Sequence, residues 1–229
     1  MNYYSHADIQ DIVRSVLAAQ TAAPAAAPAA PLRANELGQL IPVEVSARHV
    51  HLTQQAVETL FGKGYQLTPK RPLSQPGQYL CEERVKLVTA RGQIDNVAIL
   101  GPARSDIQVE LSFTDARTLG VEVPIRLSGD LRGAADVLIV THLGVVTAQK
   151  SAIAAKAHVH MTPEDAKQYG VTDGEHVSIR MGTERPVTLN DVIVRVSKDY
   201  ALAVHIDFDE ANAALMRGSN LTGHLIKER

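Results

Sequence analysis

Two His-x-His pairs stand out for their chemistry: His49 with His51 in RHVHLTQQA, and His158 with His160 in AHVHMTPED. On a strand, residues i and i+2 project from the same face. Each pair therefore presents two imidazoles side by side, while Val50 or Val159 turns the other way. Two neutral imidazoles on one face are a common way to hold a transition metal. A single pair would more often be a satisfied feature of a strand. Two pairs at matching positions in a repeated pattern argue for metal binding.

The repeat extends beyond the histidines. An offset of 109 positions places His158 on His49, His160 on His51 and Thr162 on Thr53. Further along, an offset of 95 aligns IDNVAIL (94–100) with LNDVIVR (189–195), and VELSFTDA (109–116) with VHIDFDEA (204–211). The first half therefore carries about fourteen extra residues, and the Pro-rich stretch from Gln66 to Gln78 reads as the insertion. Two copies are too few for a solenoid and fit two similar small domains.

The later alignment supplies a third ligand to each half. Glu110 falls opposite His205, each on an apolar strand pattern. Two groups result: His49, His51 and Glu110, and His158, His160 and His205. Three protein ligands with an open position describe a catalytic rather than a structural metal. His₂Glu and His₃ sets suit Zn²⁺, although ligand type alone leaves Fe²⁺, Mn²⁺ and Co²⁺ open. The copies also differ. LGPARSD in the first half stands against RVSKDY in the second, so Arg104 lies opposite Asp199. The Gly101–Pro102 turn would bring Arg104 near a metal, where it suits a phosphate or an oxyanion. The plainer alternative is a solvated turn arginine.

The elements that must position these residues are mostly strands. IPVEVSARHVHL alternates from Ile41, and VKLVTA, IDNVAILG and IQVELSF follow as strands. The second half offers AHVHM, HVSIRM, VTLNDVIVRV and ALAVHIDF. Helices are expected over Gln54–Phe61 after Thr53, over Pro163–Tyr169 ending at Gly170, and over Asp209–Arg217 ending at Gly218. Short strands with small capping helices predict a mainly β fold of two similar small β-barrel domains. Their expected limits are 36–147 and 148–229.

Residues 1–20 differ from the rest. Ile9, Ile12, Val13, Val16 and Leu17 form an amphipathic helical stripe, and the linker over 21–35 is rich in Ala and Pro. Such a tract breaks helix at each Pro and acts as a semi-rigid tether. A short tethered helix needs a partner surface, either its own domain or, as the tether favours, another protein.

Composition narrows the function classes. The formal net charge is −2, there is no Trp and no basic run, so a general nucleic-acid binder is not expected. A single cysteine, Cys81, rules out an intramolecular disulfide and suits a reducing compartment. No stretch has the length of a membrane span and no secretory signal is evident. GxGxxG and GxxxxGK[ST] are both absent.

The doubled HVH blocks, the LGPAR turn, the VEVPIRLSGD segment and the HVHMTPEDA run resemble the PduL-type phosphate propanoyltransferases, phosphotransacylases of bacterial microcompartments, over roughly residues 36–229. The resemblance implies two β-barrels around a two-zinc site whose ligands fall on the same six residues. It places the essential arginine on Arg104. It also implies exchange between acyl-CoA plus phosphate and acyl phosphate plus CoA, with propanoyl the expected acyl group and propanediol degradation the expected setting. The N-terminal helix and linker resemble encapsulation peptides, which implies shell-protein partners through residues 1–20 and a microcompartment lumen. A homo-oligomer is expected.

Within that reading, Ser46, Lys70 and Arg71 are candidates for the CoA phosphates, and Ser128 and Gly129 for a turn beside the substrate phosphate. Cys81 is a less favoured candidate for an acyl-enzyme. A metal-dependent hydrolase of acyl-CoA or phosphoesters, or a non-enzymatic metal-binding module of a microcompartment, would use the same ligands.

Overall fold

A computed structural model of the chain describes residues 10, 11, 14, 40–218 and 221–227. Contacts divide the chain into two units, Met1–Pro31 and Leu32–Arg229. In the first, Gln10, Asp11 and Arg14 are helical, with Arg14 3.8 Å from Asp11. The expected apolar stripe and the Ala/Pro linker lie outside the described residues. No helix among the described residues is long and apolar enough to cross a membrane.

The second unit is mainly β. Its first half contains β1 (Leu40–Ser46), β2 (His49–His51), α1 (Gln54–Phe61), β3 (Pro69–Pro72), β4 (Tyr79–Val88), β5 (Gln93–Gly101), β6 (Gln108–Glu110), α2 (Phe113–Leu119), β7 (Ile125–Arg126) and β8 (Ala135–Val140). There follow β9 (Val145–Ala155), β10 (His158–Met161), α3 (Pro163–Tyr169), β11 (His176–Met181), β12 (Val187–Val196), β13 (Ala203–Asp207), α4 (Phe208–Ala213) and β14 (Thr222–Lys227).

These strands close two six-stranded barrels. One runs β4-β5-β2-β6-β9-β8 and returns to β4. The other runs β1-β13-β10-β12-β11-β14. Closure pairs the edges that an open sheet would leave exposed. The strand that leads into each HVH segment belongs to the opposite barrel. β1 precedes β2 in the chain but pairs with β13 and β14, while β9 precedes β10 but pairs with β6 and β8. Strand pairing therefore does not follow the expected cut at 147/148, which β9 crosses. Linear repeat matching cannot detect such an exchange, because the exchanged strands keep their places in sequence.

Each barrel has its own core. Val50, Leu60, Val97, Ile99 and Val109 fill the first, and Val159, Met161, Ile179, Val194 and Val204 the second. Burying side chains of this size stabilises the fold by about 1.5–3 kcal/mol each relative to exposure. The repeat persists in the backbone. Asn96 and Asp191, 95 positions apart, both adopt left-handed φ, 58° and 60°, at register shifts in the β4–β5 and β11–β12 ladders. Asn and Asp are the non-glycine residues that tolerate this region best.

Two expected boundaries move. The strand read through Phe113 ends at Glu110, because Ser112 caps α2 and exchanges hydrogen bonds with Asp115 in a capping box. The last helix begins at Phe208, after the Asp207–Glu210 box, and stops at Ala213 instead of Arg217. Leu215 takes a left-handed φ of 51°, and the Thr183 hydroxyl satisfies the Ala214 carbonyl.

Candidate functional site

The short strands β2 and β10 do what their alternation predicts. Val50 and Val159 are fully buried in the two cores, and the flanking histidines share the other face. The ring centroids of His49 and His51 lie 5.0 Å apart, and those of His158 and His160 4.7 Å. Antiparallel neighbours bring in the third group of each set: β6 sets Glu110 against His49, and β13 sets His205 against His158. In each set the potential ligand atoms lie within 4.8 Å of one another.

Both sets open into one cavity of about 920 Å³ lined from both barrels. Arg104, Ser128, Gly129, Ser46 and Arg71 also line it, whereas Lys70 does not. The Lys70 ammonium lies 2.7 Å from the Glu82 carboxylate, on the β3–β4 ladder. Cys81 also stays outside the lining; it is fully buried, and burial, followed by the Glu83 charge, pushes its thiol up to about 11. That thiol remains protonated near neutrality and is poorly suited to nucleophilic attack.

The local chemistry suits a cation. Nδ1 of His49 lies 2.8 Å from the Ala47 carbonyl, and Nδ1 of His158 lies 2.8 Å from the Lys156 carbonyl. Donation to those carbonyls leaves Nε2 of each ring as an acceptor, the tautomer a metal requires. Among the described residues, neither nitrogen of the buried His160 has a hydrogen-bond partner. An orphaned imidazole in this position is costly unless something else binds it.

Burial, the neighbouring imidazoles and Arg195 hold His160 down at about 2. Burial and His158, with Arg195, hold His205 at about 3, against an opposing pull from Glu110. Burial and His49 hold His51 at about 3, also against Glu110. Glu110 behaves oppositely. Burial pushes its carboxyl up, but His49, His51, His158 and the Ser128 hydroxyl outweigh this and hold it at about 2. His51, His160 and His205 are thus neutral and Glu110 is ionised at neutral pH.

Arg104 is delivered by the turn after β5. Its backbone N–H donates to the Leu52 carbonyl at 2.8 Å, and its guanidinium reaches the Ser128 hydroxyl at 3.4 Å. Gly101 packs so closely on the Tyr79 ring that a Cβ would lie 2.3 Å from it. No larger residue fits there unless Tyr79 moves.

Several residues in and around the cavity escaped the sequence reading. Gln108 donates to Glu110 at 2.6 Å and to the Ser128 hydroxyl at 2.8 Å, and accepts from the Gly129 N–H at 2.8 Å. It therefore ties the carboxylate to the 128–129 turn. Its position two residues before Glu110, on the same strand face, was the available signal. Gln75, in the insertion, crosses to the second barrel, bonds both backbone groups of Ala201 and lies 3.3 Å from Nε2 of His205. Tyr200 stacks on His160 at 4.0 Å between centroids, and Arg195 lies 5.7 Å from the Tyr200 ring.

Comparison with known proteins points in one direction. Residues 42–217 match the family model for phosphate propanoyltransferase. The chain is 49% identical over 187 residues to the phosphate propanoyltransferase of Alkaliphilus metalliredigens, covering 82% of this chain and 88% of that one. It is 50% identical over 173 residues to that of Clostridioides difficile, covering 76% and 83%. For the Thermotoga maritima protein of the same name the identity is 48% over 182 residues, covering 79% and 87%.

Proposed function

The chain belongs to the phosphate propanoyltransferase family, and from that premise we propose that it interconverts propanoyl-CoA plus phosphate and propanoyl phosphate plus CoA at a site holding two zinc ions. Membership supports a phosphotransacylase, an acyltransferase acting on acyl-CoA and phosphate. The observation that carries the metal part is the pair of three-ligand sets opening into one cavity. His49, His51 and Glu110 would hold one ion, and His158, His160 and His205 the other. Zinc bound there would supply Lewis acidity and stabilise anionic oxygen or sulfur.

The chain's own residues supply the rest. Four arginines line the cavity (Arg71, Arg84, Arg104 and Arg195) against two glutamates, Glu44 and Glu110. That balance attracts the anionic substrates into the cavity. Phosphate attacks the thioester carbonyl, and the CoA sulfur departs as a thiolate when the tetrahedral species collapses. Arg104 stabilises the phosphate oxygens and the developing oxyanion with charge-assisted hydrogen bonds. Gln108 fixes Glu110 and the Ser128–Gly129 turn, which would face the phosphate. Ser46 and Arg71 are the cavity residues suited to the CoA phosphates. Holding both substrates in one enclosed site makes the encounter effectively intramolecular.

The test is a thiol-release assay with and without phosphate, combined with metal analysis of the purified chain. The expected result is phosphate-dependent CoA release, acyl phosphate as product and about two zinc ions per chain. Thiol release that does not need phosphate would identify a hydrolase.

Residues 1–20 we assign to docking on microcompartment shell proteins, with the enzyme in the lumen. The amphipathic stripe and the Ala/Pro tract support this, since neither can build a core of its own. Deleting residues 1–33 is expected to leave a zinc-loaded, active enzyme that fails to co-purify with shells. Loss of folding or of metal on deletion would place the segment in the catalytic unit instead.

A further inference from the structure

The two barrels are not equivalent at the position that ends the aligned IDNVAIL and LNDVIVR strands. The first barrel has Leu100 there, and the second has Arg195. Arg195 is the parallel register partner of His160, so the two side chains share a face, and Arg195 lines the cavity. Its environment is unusual for a half-buried arginine. Among the described residues it has no carboxylate at ion-pair distance, and its guanidinium donates no side-chain hydrogen bond. Its described interaction is with the Tyr200 ring, 5.7 Å away. None of the five guanidinium N–H donors therefore has a protein acceptor among the described residues.

A second cation shares the cavity. Arg104 enters the same cavity, and burial, opposed by Glu110 and reinforced by the positive charge of Arg195, lowers its affinity for its proton. Two cations that converge in one cavity repel each other and remain desolvated unless an anion lies between them.

We propose that Arg195 is a second phosphoryl-binding residue, which with Arg104 takes the oxygens of inorganic phosphate or acyl phosphate beside the His158–His160–His205 set. The identity of the ligand rests on the phosphotransacylase reading. The phosphoryl group could also come from CoA, but Arg195 is the register partner of His160 and so lies beside one of the two ligand sets, where the reacting group must sit. The guanidinium fork matches a phosphoryl group bidentately, which an ammonium does not.

The experiment uses the zinc-loaded full-length chain and its R195Q and R195K variants. Inorganic phosphate is titrated by calorimetry without CoA, and KM is measured separately for phosphate, acyl phosphate, acyl-CoA and CoA. R195Q should weaken phosphate binding and raise KM for phosphate and acyl phosphate by about tenfold or more, the scale of one charge-assisted hydrogen bond. KM for acyl-CoA and CoA should stay within about twofold, and zinc content and melting temperature should not change. R195K should recover part of the loss, because it restores charge but not the fork. If R195Q does not fold, the partial phosphate defect of R195K carries the comparison.

The proposal is overturned if phosphate binds R195Q as tightly as the unmodified chain. It is equally overturned if the defect falls on CoA and acyl-CoA, which would assign Arg195 to the CoA phosphates. If the unmodified chain binds phosphate but forms no acyl phosphate, the phosphotransacylase reading fails, while loss of that binding in R195Q still upholds the assignment of Arg195.

Discussion

Arg104→Ala is expected to keep its full complement of metal and to lose turnover by a factor on the order of 100 or more. The two readouts separate because Arg104 contacts neither ligand set through a hydrogen bond or ion pair. Among the described residues its side chain hydrogen-bonds only the Ser128 hydroxyl, at 3.4 Å, while its backbone is held by Leu52. Removing the guanidinium therefore leaves the turn anchored and the ligands in place. What disappears is a positive charge with limited access to water, where a charge-assisted bond to an oxyanion is strongest. Loss of one such donor costs roughly 2.7–4 kcal/mol of transition-state stabilisation. Metal analysis beside the thiol-release assay measures both quantities. Turnover within about threefold of the unmodified enzyme would return Arg104 to the role of a solvated turn residue.

His160→Ala should abolish binding of one metal equivalent and lower turnover by at least about a hundredfold, with little effect on folding. The ring has no protein hydrogen-bond partner among the described residues, so deleting it strands no donor or acceptor. His49→Ala should also lose metal, but at an added cost in stability. His49 contacts the Ala47 carbonyl at 2.8 Å and lies 3.4 Å from the buried Glu110 carboxylate. Glu110 keeps its bond from Gln108, so the cost is the lost bond to the Ala47 carbonyl, about 0.5–1.5 kcal/mol. Full metal occupancy in both variants would reject the assignment.

Acid should act in the same direction. His51, His160 and His205 are held well below 6.5 in the folded chain, so below that pH the unfolded chain binds protons that the folded chain does not. Stability of the metal-free protein should therefore fall as pH drops below 6.5, by at most about 1.4 kcal/mol per pH unit for each histidine. Metal affinity should fall with it, because the ligands must be deprotonated to bind. Thermal melts with and without chelator from pH 7 to pH 5 measure both effects.

Much of this site was legible in the chain because two simple periodicities govern it. Alternation on a strand fixes which residues share a face, so His49 and His51 could be paired without coordinates. The 95-residue offset then placed Glu110 and His205 opposite one another, and the ladders β2–β6 and β10–β13 carry that register. Local capping chemistry was also legible. Thr162 followed by Pro163 and Asp165 forms the start of α3, with a capping box and Gly170 at its end. Ser112 was missed because an apolar strand pattern runs straight into the capping box, and a hydroxyl that takes the Asp115 N–H outweighs one more alternating residue.

Sequence by itself determined the repeat, the six candidate ligands, the mainly β character and the family, since each depends on spacing within a segment or on similarity along the chain. Tertiary structure alone decided the exchange of β1 and β9 between barrels, the opening of both ligand sets into one cavity, and the surroundings of Lys70, Gln75, Gln108 and Arg195. Lys70 and Arg71 are sequence neighbours, yet adjacent strand residues face opposite ways, and only Arg71 reaches the cavity. Gln75 meets Ala201 across 126 positions, a contact that no local pattern encodes. Such pairings arise when two closed sheets bury their cores and must share the polar surface left between them, and that free energy is defined only once the whole chain has folded.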